Sequence, residues 1–254
     1  MGWIELFNES HSVGFMLLYF RFAALFLAVP IFSHQNIPMN HKAAMAFFFT
    51  VVFYPAMPLV EIDINIASII MAVLSEFLFG LAIGVVLLVA FNVITFAGGQ
   101  ISFMMGFSMA SAIDPQNGVS MPIISQFLSL IALMVLLELD FHHWMLLFID
   151  KSLSQVPLGG FMMTSEFFSY VTHASANMFL VGFMIAFPII ALTLLFDIIF
   201  GMLMKTMPQF NLLVIGFPIK ITVAFVVLIA TLTATAVIIR RHMQEAFNAL
   251  EMFF

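Results

Sequence analysis

The fold is decided by the stretch between two long apolar runs, residues 97–122, which reads AGGQISFMMGFSMASAIDPQNGVSMP. Its first half is apolar and Asp114 is its only charge, so it does not resemble a loop in water. Three early glycines weaken a helix and the Asp114-Pro115 pair ends one, so it does not resemble a membrane span either. Lipid cannot satisfy free backbone groups, so non-helical backbone at membrane depth must be buried in protein or line a cavity. We therefore predict an inward-facing loop; a linker resting on the membrane surface is the alternative.

The composition is that of an integral membrane protein. Of 254 residues, 64% are hydrophobic and 8% are charged, and the mean hydropathy is +1.18. Soluble domains carry about 25% charged residues. Seven lysines and arginines without a basic stripe exclude a nucleic-acid partner. The absence of cysteine excludes a disulfide framework and thiolate chemistry.

Six apolar runs predict six membrane spans, or seven if Pro188 divides the fifth. The runs are residues 13–32, 43–60, 64–96, 123–139, 167–204 and 212–239. The third and fifth exceed the roughly 30 Å of a hydrocarbon core, so they must tilt, kink or project from it. Residues 140–166 form a mixed stretch and residues 240–254 a short amphipathic tail. The distribution of lysine and arginine does not decide the orientation.

Four charges lie well inside apolar runs, away from their ends: Arg21, Glu76, Asp197 and Lys220. Each would cost about 2.5–3.5 kcal/mol at a lipid-exposed helix centre, so we expect them to face protein or water. Structural ion pairing or snorkelling is the favoured interpretation, and a proton or ion pathway is the other. Asp197 and Lys220 are equally far from the middle of the turn at residues 205–211, so we predict that they pair across a helical hairpin.

Catalytic and metal-binding patterns are absent from the sequence. His142 and His143 are adjacent and should point to different faces of a helix, unlike the i, i+4 pair of a zinc helix. We interpret them as interfacial polar residues beside Trp144. No nucleophile motif, phosphate-binding loop or carboxylate pair is present, so we predict no enzyme activity, no cofactor and no metal.

A series of landmarks along the chain resembles one known family. In order, they are Ala97-Gly98, Ile101, Met105-Gly106, Ser108, Ala110, Asp114-Pro115, Pro122, His142, Trp144, Pro208-Gln209 and Gly216-Phe217-Pro218. These residues are similar to those of the FliR family, the export-gate proteins of the bacterial flagellar type III secretion apparatus. The family is related to the SctT proteins of virulence injectisomes.

The resemblance implies an all-α integral membrane protein with long kinked helices. Residues 1–165, including the loop at 97–122, correspond to a FliP-like half, and residues 166–254 to a FliQ-like hairpin and tail. With FliP- and FliQ-type subunits, and an FlhB-type switch protein, the family forms the channel for unfolded flagellar proteins. This implies contact with membrane lipid and with exported polypeptides. It also implies a place in the bacterial inner membrane at the flagellar basal body, with much of the assembly on the periplasmic side.

The resemblance also assigns two sites. The family's central loop plugs the closed channel, and here it corresponds to Gln100, Ile101, Phe103, Met104, Met105, Gly106, Phe107, Ser108, Met109 and Asp114. The turn with Pro208, Gln209 and Asn211 corresponds to the cytoplasmic mouth of the channel, beside FliQ turns. Phe141 stands where relatives often carry glycine, so no tight turn is inferred there.

Three other functions remain open at this point. An export-gate subunit of a virulence injectisome would share the same landmarks. A small-solute secondary transporter would show internal repeats with matched broken helices, and we find no convincing repeat. An intramembrane enzyme would need a polar cluster, which the sequence lacks.

Overall fold

The computed structural model describes residues 9–33, 37–57, 65–107, 122–207 and 212–253. Their elements are all helical, which confirms the predicted all-α fold: α1 Glu9–Ala28, α2 Pro30–Ser33, α3 Met39–Phe53, α4 Ile66–Met105, α5 Ile123–Glu138, α6 Phe141–Gln155, α7 Ser165–Thr206 and α8 Phe217–Phe253. A 3₁₀ turn at Tyr54–Ala56 follows α3, and a π turn at Leu212–Gly216 precedes α8.

The chain divides into two compact units, each built from separate stretches of sequence. The first contains Met1–Ala90, Asp140–Ala174 and Met243–Phe254, and the second contains Phe91–Leu139 and Ser175–His242. These units describe packing within the chain. The predicted division at residue 165 into a FliP-like and a FliQ-like part concerns similarity to other proteins, not packing, and it stays a prediction.

In the first unit, α1 and α4 pack backbone to backbone. A Cβ added at Gly80 would lie 2.6 Å from Cβ of Ala24, and one at Gly84 would lie 2.0 Å from Cβ of Ala28. Only glycine allows this approach, because real Cβ atoms do not come so close. The GxxxG pattern in this run, a weak signal in the sequence, therefore marks a real helix interface.

Helix α4 is longer than the apolar run that predicted it, because it passes through Gly98 and Gly99, which were expected to weaken a helix. The run was expected to end at residue 96, but α4 continues to Met105 and is 40 residues long. A Cβ at Gly98 would lie 2.4 Å from Cα of Ser125, so this glycine allows α5 to pack closely on α4. Ile101 and Met105 are fully buried in the added turns. This packing outweighs the roughly 1 kcal/mol that each glycine costs in a helix.

Helix α4 ends at Gly106, where the backbone adopts a left-handed conformation with φ of 88°. The Gly106 N–H donates to the Phe103 carbonyl at 3.0 Å, and the Phe107 N–H donates to the Ser102 carbonyl at 3.1 Å. This is the hydrogen-bond pattern of a glycine helix cap. Residues 97–105 of the predicted loop are therefore helical, and residues 108–121 lie outside the described part of the chain.

The last two helices run without interruption. Helix α7 has 42 residues and passes through Pro188, so the predicted seventh span does not arise from a break there. Membrane helices tolerate proline because neighbouring groups satisfy the freed carbonyl. Helix α8 has 37 residues and includes the expected C-terminal tail, which is not a separate element.

Four described helices are long and apolar enough to span a membrane: α1, α4, α7 and α8. A fifth span results if α5 and α6, which are broken at Leu139 and Asp140, are counted together. The predicted number of six is therefore too high for the described residues. With 15 and 16 residues, α3 and α5 are too short for single spans, which need about 20.

Candidate functional site

The first candidate site is the end of α4, which begins the predicted closing segment, residues 100–116. Ile101 and Met105 are fully buried and Ser102 is nearly so. On the opposite side, Phe103 is 62% exposed. The helical part of the segment is thus anchored along one side and open along the other.

The turn after α4 lies against α8. The rings of Phe107 and Phe225 meet edge to face with centroids 6.3 Å apart. The conformation favours glycine at position 106, and a Cβ there would also make a tight contact of 3.0 Å with the Phe217 ring. The sequence pointed to Phe217 only as a landmark and missed Phe225, because their distance from the loop along the chain hides the contact.

Other predicted site residues cannot be placed. Ser108, Met109 and Asp114 of the closing segment lie outside the described residues, as do Pro208, Gln209 and Asn211 of the predicted mouth turn. Gln100 and Met104 are described, and both are half-buried on the last turns of α4.

The second candidate site is a buried ion pair between α1 and α4. Arg21 and Glu76 are fully buried. Arg21 Nε donates to Glu76 Oε2, and Arg21 Nη2 donates to Glu76 Oε1 at 3.0 Å. The guanidinium also donates to Ser152 Oγ at 3.2 Å and to the Val156 carbonyl at 3.3 Å, and it stacks 4.4 Å from the centre of the Phe79 ring. Such a planar, two-pronged contact suits arginine better than lysine.

The same pair holds the connection between α6 and α7, which we name the strap, residues 157–164. The Gly159 N–H donates to Glu76 Oε1 at 2.6 Å, and its φ of 80° suits glycine. Next to it on α4, Ser75 Oγ donates to the Phe161 carbonyl at 2.8 Å. The pair therefore joins α1, α4, α6 and the strap, which supports its interpretation as a structural ion pair. The sequence indicated Gly159 only as part of a helix break.

The third candidate site is the ion pair between α7 and α8. Lys220 Nζ lies 2.7 Å from Asp197 Oδ1 and 2.8 Å from Oδ2. The two side chains differ in exposure, since Lys220 is 8% exposed whereas Asp197 is 52% exposed. Leu194 and Ile198, which neighbour Asp197 along α7, are also exposed. A half-open carboxylate therefore lies on an apolar helix surface.

The start of α6 differs from the prediction. Asp140 takes a left-handed conformation with φ of 54°, so a tight turn does occur, one residue before Phe141. The rings of His142 and His143 do not diverge, because their centroids are 4.2 Å apart. Helical side chains lean toward the N-terminus, and in the first turn no preceding turn separates them. Both rings therefore lie near Asp140.

Comparison with known proteins gives a match along nearly the whole chain. Residues 12–246 match the model of the family described as bacterial export proteins, family 1. A relative from Bacillus subtilis (strain 168), named flagellar biosynthetic protein FliR, is 34% identical over 233 residues, 89% of each chain. Its namesake from Escherichia coli (strain K12) is 29% identical over 247 residues, 96% of this chain and 95% of the relative. A third, from Aquifex aeolicus (strain VF5), is 23% identical over 250 residues.

Proposed function

This chain belongs to the FliR family of bacterial export proteins, and from that premise we propose how it contributes to the flagellar export gate. With FliP- and FliQ-type subunits it forms the inner-membrane channel through which unfolded flagellar proteins leave the cell. An FlhB-type switch protein binds the same assembly. Residues 1–165 take the place of a FliP-like subunit and residues 166–254 that of a FliQ-like hairpin.

The observation that carries the proposal is the exposure of α7 and α8. The share of buried residues in the most apolar 18 residues is 56% for α4, but only 28% for α7 and 17% for α8. At about 1.5 Å per residue, the 42 residues of α7 give roughly 63 Å, about twice the hydrocarbon thickness. Lipid cannot cover an apolar helix over that length, and the apolar stretch of α8 is even less buried than that of α7. The exposed faces of both helices therefore suit neighbouring apolar subunits.

The closing segment would act as the plug of this channel. A pore wide enough for an unfolded polypeptide must exclude ions when it is idle, and the plug must also move aside. Methionine and phenylalanine fill an irregular lumen, and methionine adapts its shape. The capped end of α4 gives the segment a fixed base at Met105 and Gly106.

Co-purification tests the assembly. The full chain is co-expressed with FliP- and FliQ-type subunits in a host that lacks its own copies, and it is isolated in mild detergent. We expect one mixed complex and restored export of flagellar proteins into the medium. A chain that forms only a monomer or a symmetric oligomer would contradict the proposal and favour the transporter. Complementation of an injectisome but not of a flagellar system would favour the virulence gate, although the relatives above are named as flagellar.

A single cysteine tests the mouth turn, since the chain has none of its own. We expect Gln209→Cys to crosslink to a FliQ-type subunit that carries a cysteine in its own turn. A cysteine at the exposed Met162 of the strap provides the control. Labelling of Gln209→Cys from the periplasmic side would refute the cytoplasmic orientation.

A further inference from the structure

Three side chains that could bind a metal ion lie at the start of α6. Asp140, His142 and His143 each offer one ligand atom, and these atoms all lie within 4.8 Å of one another. From this geometry we propose that the three residues bind a divalent transition-metal ion such as Zn²⁺. Two imidazoles and one carboxylate are a ligand set that such ions use, with a remaining position for water.

The distances within the cluster fit a metal site. Asp140 Oδ1 and His143 Nδ1 are 3.2 Å apart. Ligand atoms about 2.0–2.1 Å from a tetrahedral Zn²⁺ are about 3.4 Å from one another, so this pair needs little movement to share an ion. His142 Nδ1 is buried and makes no hydrogen bond within the described residues. The cluster thus contains an imidazole nitrogen that makes no hydrogen bond to any described residue.

The charges and the backbone are also suitable. Asp140 and His143 are 66% and 63% exposed, so an ion and its water can reach them. The positive end of the α6 dipole opposes a cation, but the Asp140 carboxylate and direct ligand bonds counter it. Asp140 is the one non-glycine residue with positive φ in the described chain, at 54°. A bound ion would hold this strained turn in place and fix the start of α6.

The test uses the full chain in detergent, purified without a histidine tag. Co²⁺ serves as the probe, because its absorption reports tetrahedral coordination. In a Trp3→Phe background, Trp144 is the only tryptophan and directly follows His143, so bound Co²⁺ should quench its fluorescence. We expect one equivalent to bind, and Zn²⁺ to displace it and to raise the midpoint of thermal unfolding.

Three variants locate the ion. Asp140→Asn keeps a residue that tolerates positive φ and removes the carboxylate charge, and His143→Gln removes an imidazole. Each should weaken Co²⁺ binding at least about tenfold, since even residues that only orient metal ligands have effects of that size. His173→Gln changes an exposed histidine outside the cluster and should leave binding unchanged. Absence of saturable Co²⁺ binding, or equal binding by Asp140→Asn, His143→Gln and the parent chain, would overturn the proposal.

Discussion

The two ion pairs inside apolar helices differ in how far the chain itself encloses them. Around Arg21 and Glu76, the contacts within the described residues come from α1, α4, α6, Val156 and the strap, and both side chains are fully buried. Between Asp197 and Lys220, the lysine is enclosed but the carboxylate is half exposed on an apolar surface. The described part of the chain therefore encloses the first pair, whereas it leaves the carboxylate of the second pair open on an apolar surface, which we propose that a neighbouring subunit covers.

The strongest test of this contrast is Glu76→Gln. It leaves Arg21 charged in a closed environment, so we expect a loss of about 3–5 kcal/mol in stability. The double variant Arg21→Met/Glu76→Gln should recover most of it, because no buried charge remains and the glutamine oxygen can still accept from Gly159. The midpoint of thermal unfolding of the isolated chain in detergent measures both. Equal stability of Glu76→Gln and the parent chain would show that the pair does not hold this region together.

A second test compares two glycines in long helices. Gly84→Ala would bring its Cβ to 2.0 Å from Cβ of Ala28, whereas a Cβ at Gly201 meets nothing within 4 Å. We expect Gly84→Ala to lose about 1–3 kcal/mol through overpacking. Gly201→Ala should be neutral or gain up to about 1 kcal/mol, because alanine favours the helix. The same thermal measurement applies.

The amount of partner subunits that co-purify with the Gly201→Ala variant extends this second comparison. A large destabilisation by Gly201→Ala in the isolated chain would contradict the open surface seen around it. If Gly201→Ala instead lowers only the amount of FliP- and FliQ-type subunits that co-purify, a neighbour packs against α7 at this point.

The smallest effect in the isolated chain is expected for Asp197→Asn. Because Asp197 is half exposed and the amide oxygen can still accept from Lys220, the loss should be on the order of 1 kcal/mol. In the assembled gate the carboxylate would be enclosed, so the same change should impair assembly strongly. Asp197→Asn/Lys220→Met should assemble better than Asp197→Asn, as measured by the co-purified subunits. A double variant at least as defective as each single variant would refute the pairing.

The sequence predicted those parts of the structure that depend on local pattern. Composition was sufficient for an integral membrane protein, and the resemblance to a known family implied its all-α fold. The equal distances of Asp197 and Lys220 from the middle of a turn predicted that they pair, as they do. The sequence could not predict the partner of Arg21, because Glu76 is 55 positions away. No local sequence pattern indicates that the strap contacts this pair. The sequence prediction ended α4 too early because Gly98 serves a contact with Ser125 on another helix. Interactions between distant segments override local propensity in both cases.

The most direct test of the account is the ion conductance of the complete gate without substrate. Residues 107–112 are replaced by glycine and serine at equal length, which keeps α4, its buried anchor Met105 and its cap at Gly106. The account predicts a complex with the normal set of subunits that conducts ions, while the parent gate stays closed. A gate with the replaced segment that assembles normally and conducts no more ions than the parent gate would show that this segment does not close the channel.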